Sequence, residues 1–192
     1  MSDDPLRLFD EWLRGAGEAG VPVPEAMALA TASADGTPSA RMVLLKGADA
    51  DGFVFYTGYE SRKGDELAAN PRAALVFYWQ PLGRQVRVEG AVERVSEEES
   101  DAYFASRPRG SQLAARASAQ SRPLAGREEL ERRFAELERE YEDREVPRPA
   151  AWGGYRLRPD AIEFWQHRDN RLHDRVRYTR AREGWTKELL GP

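Results

Sequence analysis

The chain has no cysteine among its 192 residues. That removes disulfides, thiolate metal sites, iron–sulfur clusters and a cysteine nucleophile together. Histidine is nearly as scarce, with His167 and His173 the only two. No helical pair of histidines is spaced to share a metal, so a zinc centre would need carboxylates for its remaining ligands, and no metal is expected. No apolar run reaches the roughly 20 residues that span a bilayer, and the start MSDDPLRLFD lacks the basic-then-apolar layout of a secretory signal. The expectation is a cytoplasmic protein without membrane contact. Positive charge is not in surplus either: 29 basic against 33 acidic residues give a net charge of −4. General nucleic-acid binding, which depends on a basic surface neutralising phosphates, is therefore not expected. The glycine-rich patterns G-x-G-x-x-G and G-x-x-x-x-G-K-[ST] are missing, so any phosphate must be held by side chains and helix ends.

The remaining composition is that of a folding chain. Hydrophobic residues make up 41% and aromatics 10%, and a domain of this length buries roughly 70% of the surface its unfolded chain exposes. Residues 1–192 are read as one domain, beginning with a helical segment over 1–20. In it Asp4 caps, Pro5 opens the first turn, and Leu6, Phe9, Trp12 and Leu13 form one stripe that ends near Gly15. Short β-rich runs follow at 27–33, 40–46, 53–57, 73–80 and 84–95, punctuated by Asp35-Gly36, Asp51-Gly52 and Pro81-Leu82-Gly83. Ser61 starts a short helix that stops near Asn70-Pro71, and Ser96 with Glu99 forms a capping box for another that Pro108 ends. From 127 to 144, Leu130, Phe134, Leu137 and Tyr141 recur at helical spacing among charges, which reads as an amphipathic helix with one packed face. Over 152–192 strands resume at 154–157, 161–166, 171–179 and 185–189. Strands, helices, then strands give an α+β protein with a mostly antiparallel sheet closed into a barrel.

Several clusters carry possible chemistry. Ser61-Arg62-Lys63 opens a helix where free N–H groups, a hydroxyl and two cations can converge on an anion, although a capped, solvated helix start has the same spelling. Arg171, His173 and Arg175 fall at i, i+2 and i+4 of a predicted strand, which puts three cationic or titratable groups on one face. Such a face calls for an anion or for acidic partners elsewhere. The adjacent pair His173-Asp174 points to opposite faces and is not a dyad. Tyr103 and Arg107 share a helix face, and Arg107 or Arg109 has the chemistry to grip a second anion. Strand parity sends Arg41 and Lys46 to opposite sides unless a bulge intervenes. Trp165 suits either a core or a stacking surface for a flat ring. Gln85 shares a strand face with Arg87 and Glu89, and Gln120-Ser121 is polar, so both offer groups to a ring edge.

In combination, RMVLLK at 41–46, VFYT at 54–57, SRK at 61–63, RQVRVEG at 84–90, SRPRGSQ at 106–112, QS at 120–121, EFWQ at 163–166 and RLHDR at 171–175 resemble the pyridoxine/pyridoxamine 5′-phosphate oxidase family. The likeness runs from DPL at 4–6 to Pro192. It implies a split β-barrel homodimer with two FMN molecules at the subunit interface. FMN would be held by Arg41, Met42, Val43, Leu44, Leu45, Lys46, Tyr56, Thr57, Arg62, Lys63 and Gln85 of one subunit, with Gln120, Ser121, Trp165 and Arg175 from the other. Arg62 and Lys63 would take its phosphate. Lys46, Tyr103, Arg107 and Ser111 would bind the phosphate of pyridoxine or pyridoxamine 5′-phosphate, and Arg171 and His173 would position its ring as the catalytic pair. The implied reaction is hydride transfer from substrate C4′ to FMN, giving pyridoxal 5′-phosphate, with O2 reoxidising the flavin to hydrogen peroxide. Gly58, Arg116, His167 and the ending LLGP depart from the family's usual residues. The alternative is a flavin-binding split barrel that acts on another substrate, as phenazine-forming oxidases do, or lacks this activity. Those oxidases tend to lose the lysine at 46 and the RQVRVEG pattern, and both are present here.

Overall fold

The computed structural model describes residues 3–192; the first two residues of the predicted 1–20 segment lie outside it. Among the described residues nine strands, all paired antiparallel, form one sheet with five α-helices around it. In chain order these are α1 (Pro5–Glu18), β1 (Ala26–Ala32), β2 (Pro38–Leu44), β3 (Gly47–Asp49), β4 (Gly52–Gly58), α2 (Arg62–Ala69), β5 (Arg72–Trp79), β6 (Arg84–Arg94), α3 (Glu97–Ser106), α4 (Arg109–Ala117), α5 (Arg127–Glu140), β7 (Trp152–Gln166), β8 (Asp174–Arg180) and β9 (Trp185–Leu189). The order across the sheet is β2-β1-β5-β6-β7-β4-β3, with β8 and β9 continuing from the far half of β7.

The sheet curls into a split barrel. Its seam is bridged by the chain leaving β2, where Leu45 N–H donates to the Glu25 carbonyl (2.9 Å) and Lys46 N–H to the Val54 carbonyl of β4 (2.8 Å). α1 covers the inner face. Phe9 is fully buried and meets Phe53 and Phe77 edge-on at 4.9 and 5.0 Å, while Trp12 meets Phe164 at 5.1 Å. This is the stripe that the sequence placed on one side, but the helix runs three residues past Gly15, because Ala16 is buried and its turn still packs. A second cluster, Phe104, Leu113, Tyr141, Val146 and Trp152, joins α3, α4 and the start of β7.

The structure departs from the sequence expectations at three places. The strands predicted at 154–157 and 161–166 are one continuous strand, β7, which passes Pro159 at a register shift between Glu89 and Gly90. Gly90 is required there, since a Cβ would sit 1.9 Å from the Arg158 carbonyl oxygen. The helix opened by Ser96 does stop before Pro108, with Arg107 already extended, and the same proline then caps α4, because its fixed φ suits a helix start. The strand predicted from 171 begins at Asp174. Asn170 and Arg171 take left-handed φ values of 56° and 62° in a one-turn 3₁₀ helix, so Arg171, His173 and Arg175 do not share a strand face. Finally, β2 ends at Leu44, so strand parity does not extend to Lys46.

Candidate functional site

A cavity of about 810 Å³ opens between β2, β4, α2, α3 and the loop after α4, within the roughly 300–1,000 Å³ of small-molecule and cofactor sites. Its wall includes Arg41, Met42, Val43, Leu44, Lys46, Tyr56, Thr57, Arg62, Lys63, Tyr103, Arg107, Ser111, Gln120 and Ser121. Arg41 and Lys46 therefore reach the same space, contrary to parity, because the chain turns out of the strand before Lys46. Leu45 does not: its side chain is 4% exposed and packs in the core.

The deep end is built on the start of α2. Ser61 caps the helix, accepting from Gly64 N–H (3.4 Å). The Lys63 ammonium is buried and donates to Thr57 Oγ1 (3.0 Å), Ser61 Oγ (3.0 Å) and Gln120 Oε1 (3.2 Å). Burial, with Arg41 adding repulsion and Glu66 opposing, pushes its pKa down to about 8. Gln120 Oε1 also accepts from Thr57 Oγ1 (2.9 Å) and Gly58 N–H (3.1 Å). A Cβ at position 58 would stand 3.2 Å from that oxygen, so the glycine leaves room for the amide to fold back onto the strand.

Glu66, which the motifs did not single out, organises the neighbouring arginines. Its carboxylate accepts from Thr31 Oγ1 (2.5 Å), Ser39 Oγ (2.6 Å), Arg41 Nη2 (3.1 Å) and Arg62 Nε (2.9 Å). Burial alone would raise its pKa, but these bonds outweigh it and hold the pKa at about 2. The signal available in sequence is the i, i+4 spacing of Arg62 and Glu66 on one helix.

At the other end Tyr56 and Tyr103 stack at 3.8 Å, with Trp152 roughly parallel to both. Burial, then Glu99 and Tyr103, push the Tyr56 phenol up to about 12, so it stays protonated. Arg107 reaches the cavity with Nη1 buried and without a partner. Arg109 does not reach it: its guanidinium donates to the carbonyls of Tyr141 and Arg144 at the end of α5, where a helix C-terminus attracts cations. Arg116 is likewise structural, donating to the Pro147 carbonyl (2.9 Å).

The remaining singled-out residues lie together elsewhere. Trp165 is paired in register with Gln85 on one side and Arg175 on the other. Its ring lies 4.6 Å from the His173 ring, and the His167 ring is 5.2 Å from His173. Arg175 is bound by Glu163 (2.9 and 3.2 Å) and by the Gly191 carbonyl (2.9 Å). Arg171 is exposed in the turn beside them. The grouping differs from the expectation in two respects: Gln120 and Ser121 belong with Thr57 and Lys63 of the same chain, and Gln85 belongs with Trp165 and Arg175. Asp174 accepts from Arg168 Nε (2.7 Å).

The family profile described as pyridoxamine 5′-phosphate oxidase matches residues 14–140, and the pyridoxine 5′-phosphate oxidase C-terminal dimerisation region matches 152–192. A Rubrobacter xylanophilus pyridoxine/pyridoxamine 5′-phosphate oxidase is 64% identical over 98% of this chain and 87% of its own. One from Cupriavidus metallidurans is 56% identical over 100% and 91%. Among solved structures, Burkholderia lata PhzG in complex with tetrahydrophenazine-1-carboxylic acid superposes with a TM-score of 0.95 at 37% identity, over 100% of this chain and 94% of its own. An FMN-binding protein from Nostoc punctiforme, 18% identical over 100% of both chains with a TM-score of 0.78, shares the fold.

Proposed function

The chain belongs to the pyridoxine/pyridoxamine 5′-phosphate oxidase family of oxidoreductases, and from that premise we propose that it is an FMN-dependent oxidase that turns pyridoxine or pyridoxamine 5′-phosphate into pyridoxal 5′-phosphate. The observation that carries this reading is the charge of the cavity. Five cations, Arg41, Lys46, Arg62, Lys63 and Arg107, line it, and among the described residues no carboxylate does. Two phosphate monoesters, each about −1.5 to −2 at neutral pH, are a ligand pair that such a wall fits. The unpartnered Arg107 Nη1 and the depressed Lys63 pKa are what a site awaiting anions has.

In this reading Arg62 and Lys63 hold the FMN phosphate at the start of α2. Arg41 to Leu44, Tyr56, Thr57, Gln120 and Ser121 flank the rest of the cofactor. Lys46, Tyr103, Arg107 and Ser111 hold the substrate phosphate. When bound, FMN supplies two-electron oxidation at substrate C4′, with O2 as final acceptor, hydrogen peroxide as its product, and ammonia released by hydrolysis in the amine case. The chain's own task is to fix the substrate in one pose and exclude others, and no side-chain nucleophile is required. Arg171 and His173 would position the ring. Arg168 N–H donates to His173 Nδ1 (3.1 Å), which leaves Nε2 as the ring atom that can face the substrate.

Gln85, Trp165, Arg171, His173 and Arg175 would serve the cavity of a second subunit in a homodimer. The outer face of β2, β1 and β5 supports this: Ala28 stands in register between Met42 and Val76, and Ala30 between Ala40 and Ala74. Met42, Leu44 and Tyr78 are 65%, 44% and 57% exposed there. An apolar face of this kind is the usual mark of an interface.

The test is to mix flavin-loaded protein anaerobically with pyridoxine 5′-phosphate. Bleaching of the flavin absorbance is expected, and an unchanged spectrum refutes the proposal. The likeness to PhzG favours a second reading, oxidation of a phenazine precursor. Bleaching by reduced phenazine carboxylates, with none by the B6 phosphate, would establish it instead.

A further inference from the structure

We infer that Trp152 is a positioning residue that holds the Arg107 guanidinium ready for the substrate's phosphate; this rests on the assignment of Arg107 to that phosphate. Arg107 follows the last turn of α3. Its N–H donates to the Phe104 carbonyl (3.2 Å), and Pro108 stiffens the next step of the backbone. The side chain is half-buried, its Nη1 has no hydrogen-bond partner, and burial lowers its pKa, with Tyr103 opposing. A guanidinium in that state gains by swinging out to water unless another attraction retains it.

The indole of Trp152 supplies that attraction. The guanidinium carbon lies 4.6 Å from the indole centroid, with the Phe104 ring further off at 5.6 Å. A cation over an aromatic face is attracted by the ring quadrupole, most strongly over tryptophan. This contact differs from a salt bridge in what it leaves free. A carboxylate partner would occupy the N–H donors and repel a phosphate, whereas the indole retains the cation and leaves its N–H fork for the incoming ester.

Trp152 is itself fixed. It is 9% exposed, runs parallel to Tyr103 and Tyr56, and meets Phe104 edge-on at 5.2 Å. Its carbonyl accepts from Arg148 Nη1 (2.6 Å), and Arg148 also pairs with Asp101 (2.5 Å) and Glu97 of α3. The helix that leads into Arg107 and the strand end that carries the indole are thus tied together, and the relation between ring and guanidinium is set by the fold.

The experiment compares Trp152→Leu, Trp152→Phe, Arg107→Ala and the double variant Arg107→Ala/Trp152→Leu as holoenzymes. It measures kcat, KM for pyridoxine 5′-phosphate and inhibition by inorganic phosphate. Trp152→Leu should raise KM about two- to thirtyfold with kcat unchanged, and weaken phosphate inhibition by a similar factor. Trp152→Phe, which keeps a weaker π face, should fall between Leu and wild type. In the Arg107→Ala background the Leu substitution should add nothing, because the contact is already gone. An unchanged KM in Trp152→Leu, an effect that persists without Arg107, or equal effects of Phe and Leu would each overturn the inference. If Trp152→Leu does not fold, Trp152→Phe carries the test with a rise of about twofold in KM, and no rise overturns it. An unchanged KM in Arg107→Ala removes the phosphate assignment itself, and this inference with it.

Discussion

Raising the pH from 7 to 9 should weaken FMN binding to the apoprotein about tenfold, through Lys63. Lys63 is 5% exposed, its ammonium sits among Thr57 Oγ1, Ser61 Oγ and Gln120 Oε1, and its pKa is about 8. With that value about nine in ten molecules carry the charge at pH 7 and about one in eleven at pH 9. A phosphate monoester, with its second pKa near 6, stays dianionic throughout. Contact with it stabilises the ammonium and raises its pKa, so binding takes up a proton wherever the free lysine has lost one. Affinity therefore falls as pH rises, by a ratio of about ten, or about 1.4 kcal/mol. Quenching of FMN fluorescence on titration with apoprotein measures it. Riboflavin, which lacks the phosphate, should bind more weakly and without this slope, and Lys63→Met should bind FMN weakly and equally at both pH values. Equal FMN affinity at pH 7 and pH 9, or the same slope for riboflavin, would show that Lys63 does not titrate against the phosphate.

Glu66 predicts an acid transition in stability. Its folded pKa of about 2 lies below the ordinary 4.5, so its contribution, about 3 kcal/mol, is present above pH 4.5 and is lost as pH falls towards 2. Urea midpoints of wild type and Glu66→Gln should converge over that window, and parallel curves would contradict the assignment. Phe9→Ala, which empties the centre of the aromatic core, should cost about 3–5 kcal/mol in the same assay. Arg171→Ala should lower kcat while FMN stays bound; loss of the flavin absorbance on gel filtration would instead put this turn against the cofactor.

Much of this architecture is legible in the residues, and the exceptions have physical causes. The N-caps Asp4, Ser61 and Ser96 mark α1, α2 and α3 correctly, because a side chain that accepts from an orphan N–H is a local device. α4 escapes because Pro108 reads equally as a stop and as a start. The turn at Asn170-Arg171 escapes because left-handed φ at an arginine leaves no compositional trace, and RLHDR alternates well enough to pass for a strand. Motif order brings Arg41, Lys46, Lys63 and Arg107 to attention, but strand parity misplaces Lys46 once the chain leaves β2. Glu66 and Trp152 carry no motif of their own. Their roles follow from neighbours distant in sequence, Ser39 and Thr31 for one and Arg107 for the other. The division into two surfaces is likewise a property of register, since Gln85 meets Trp165 only through the β6–β7 pairing.

In the proposed homodimer the cavity of one subunit is completed by the Trp165 surface of the other. Co-expressing differently tagged Arg107→Ala and Arg171→Ala chains tests it most directly, because random pairing makes about half the dimers mixed, each with one site intact and one site doubly impaired. Assayed at substrate concentrations well below KM, the mixture should recover about a quarter of wild-type activity, carried by the doubly tagged fraction. Activity no greater than the mean of the two variants alone would contradict the claim.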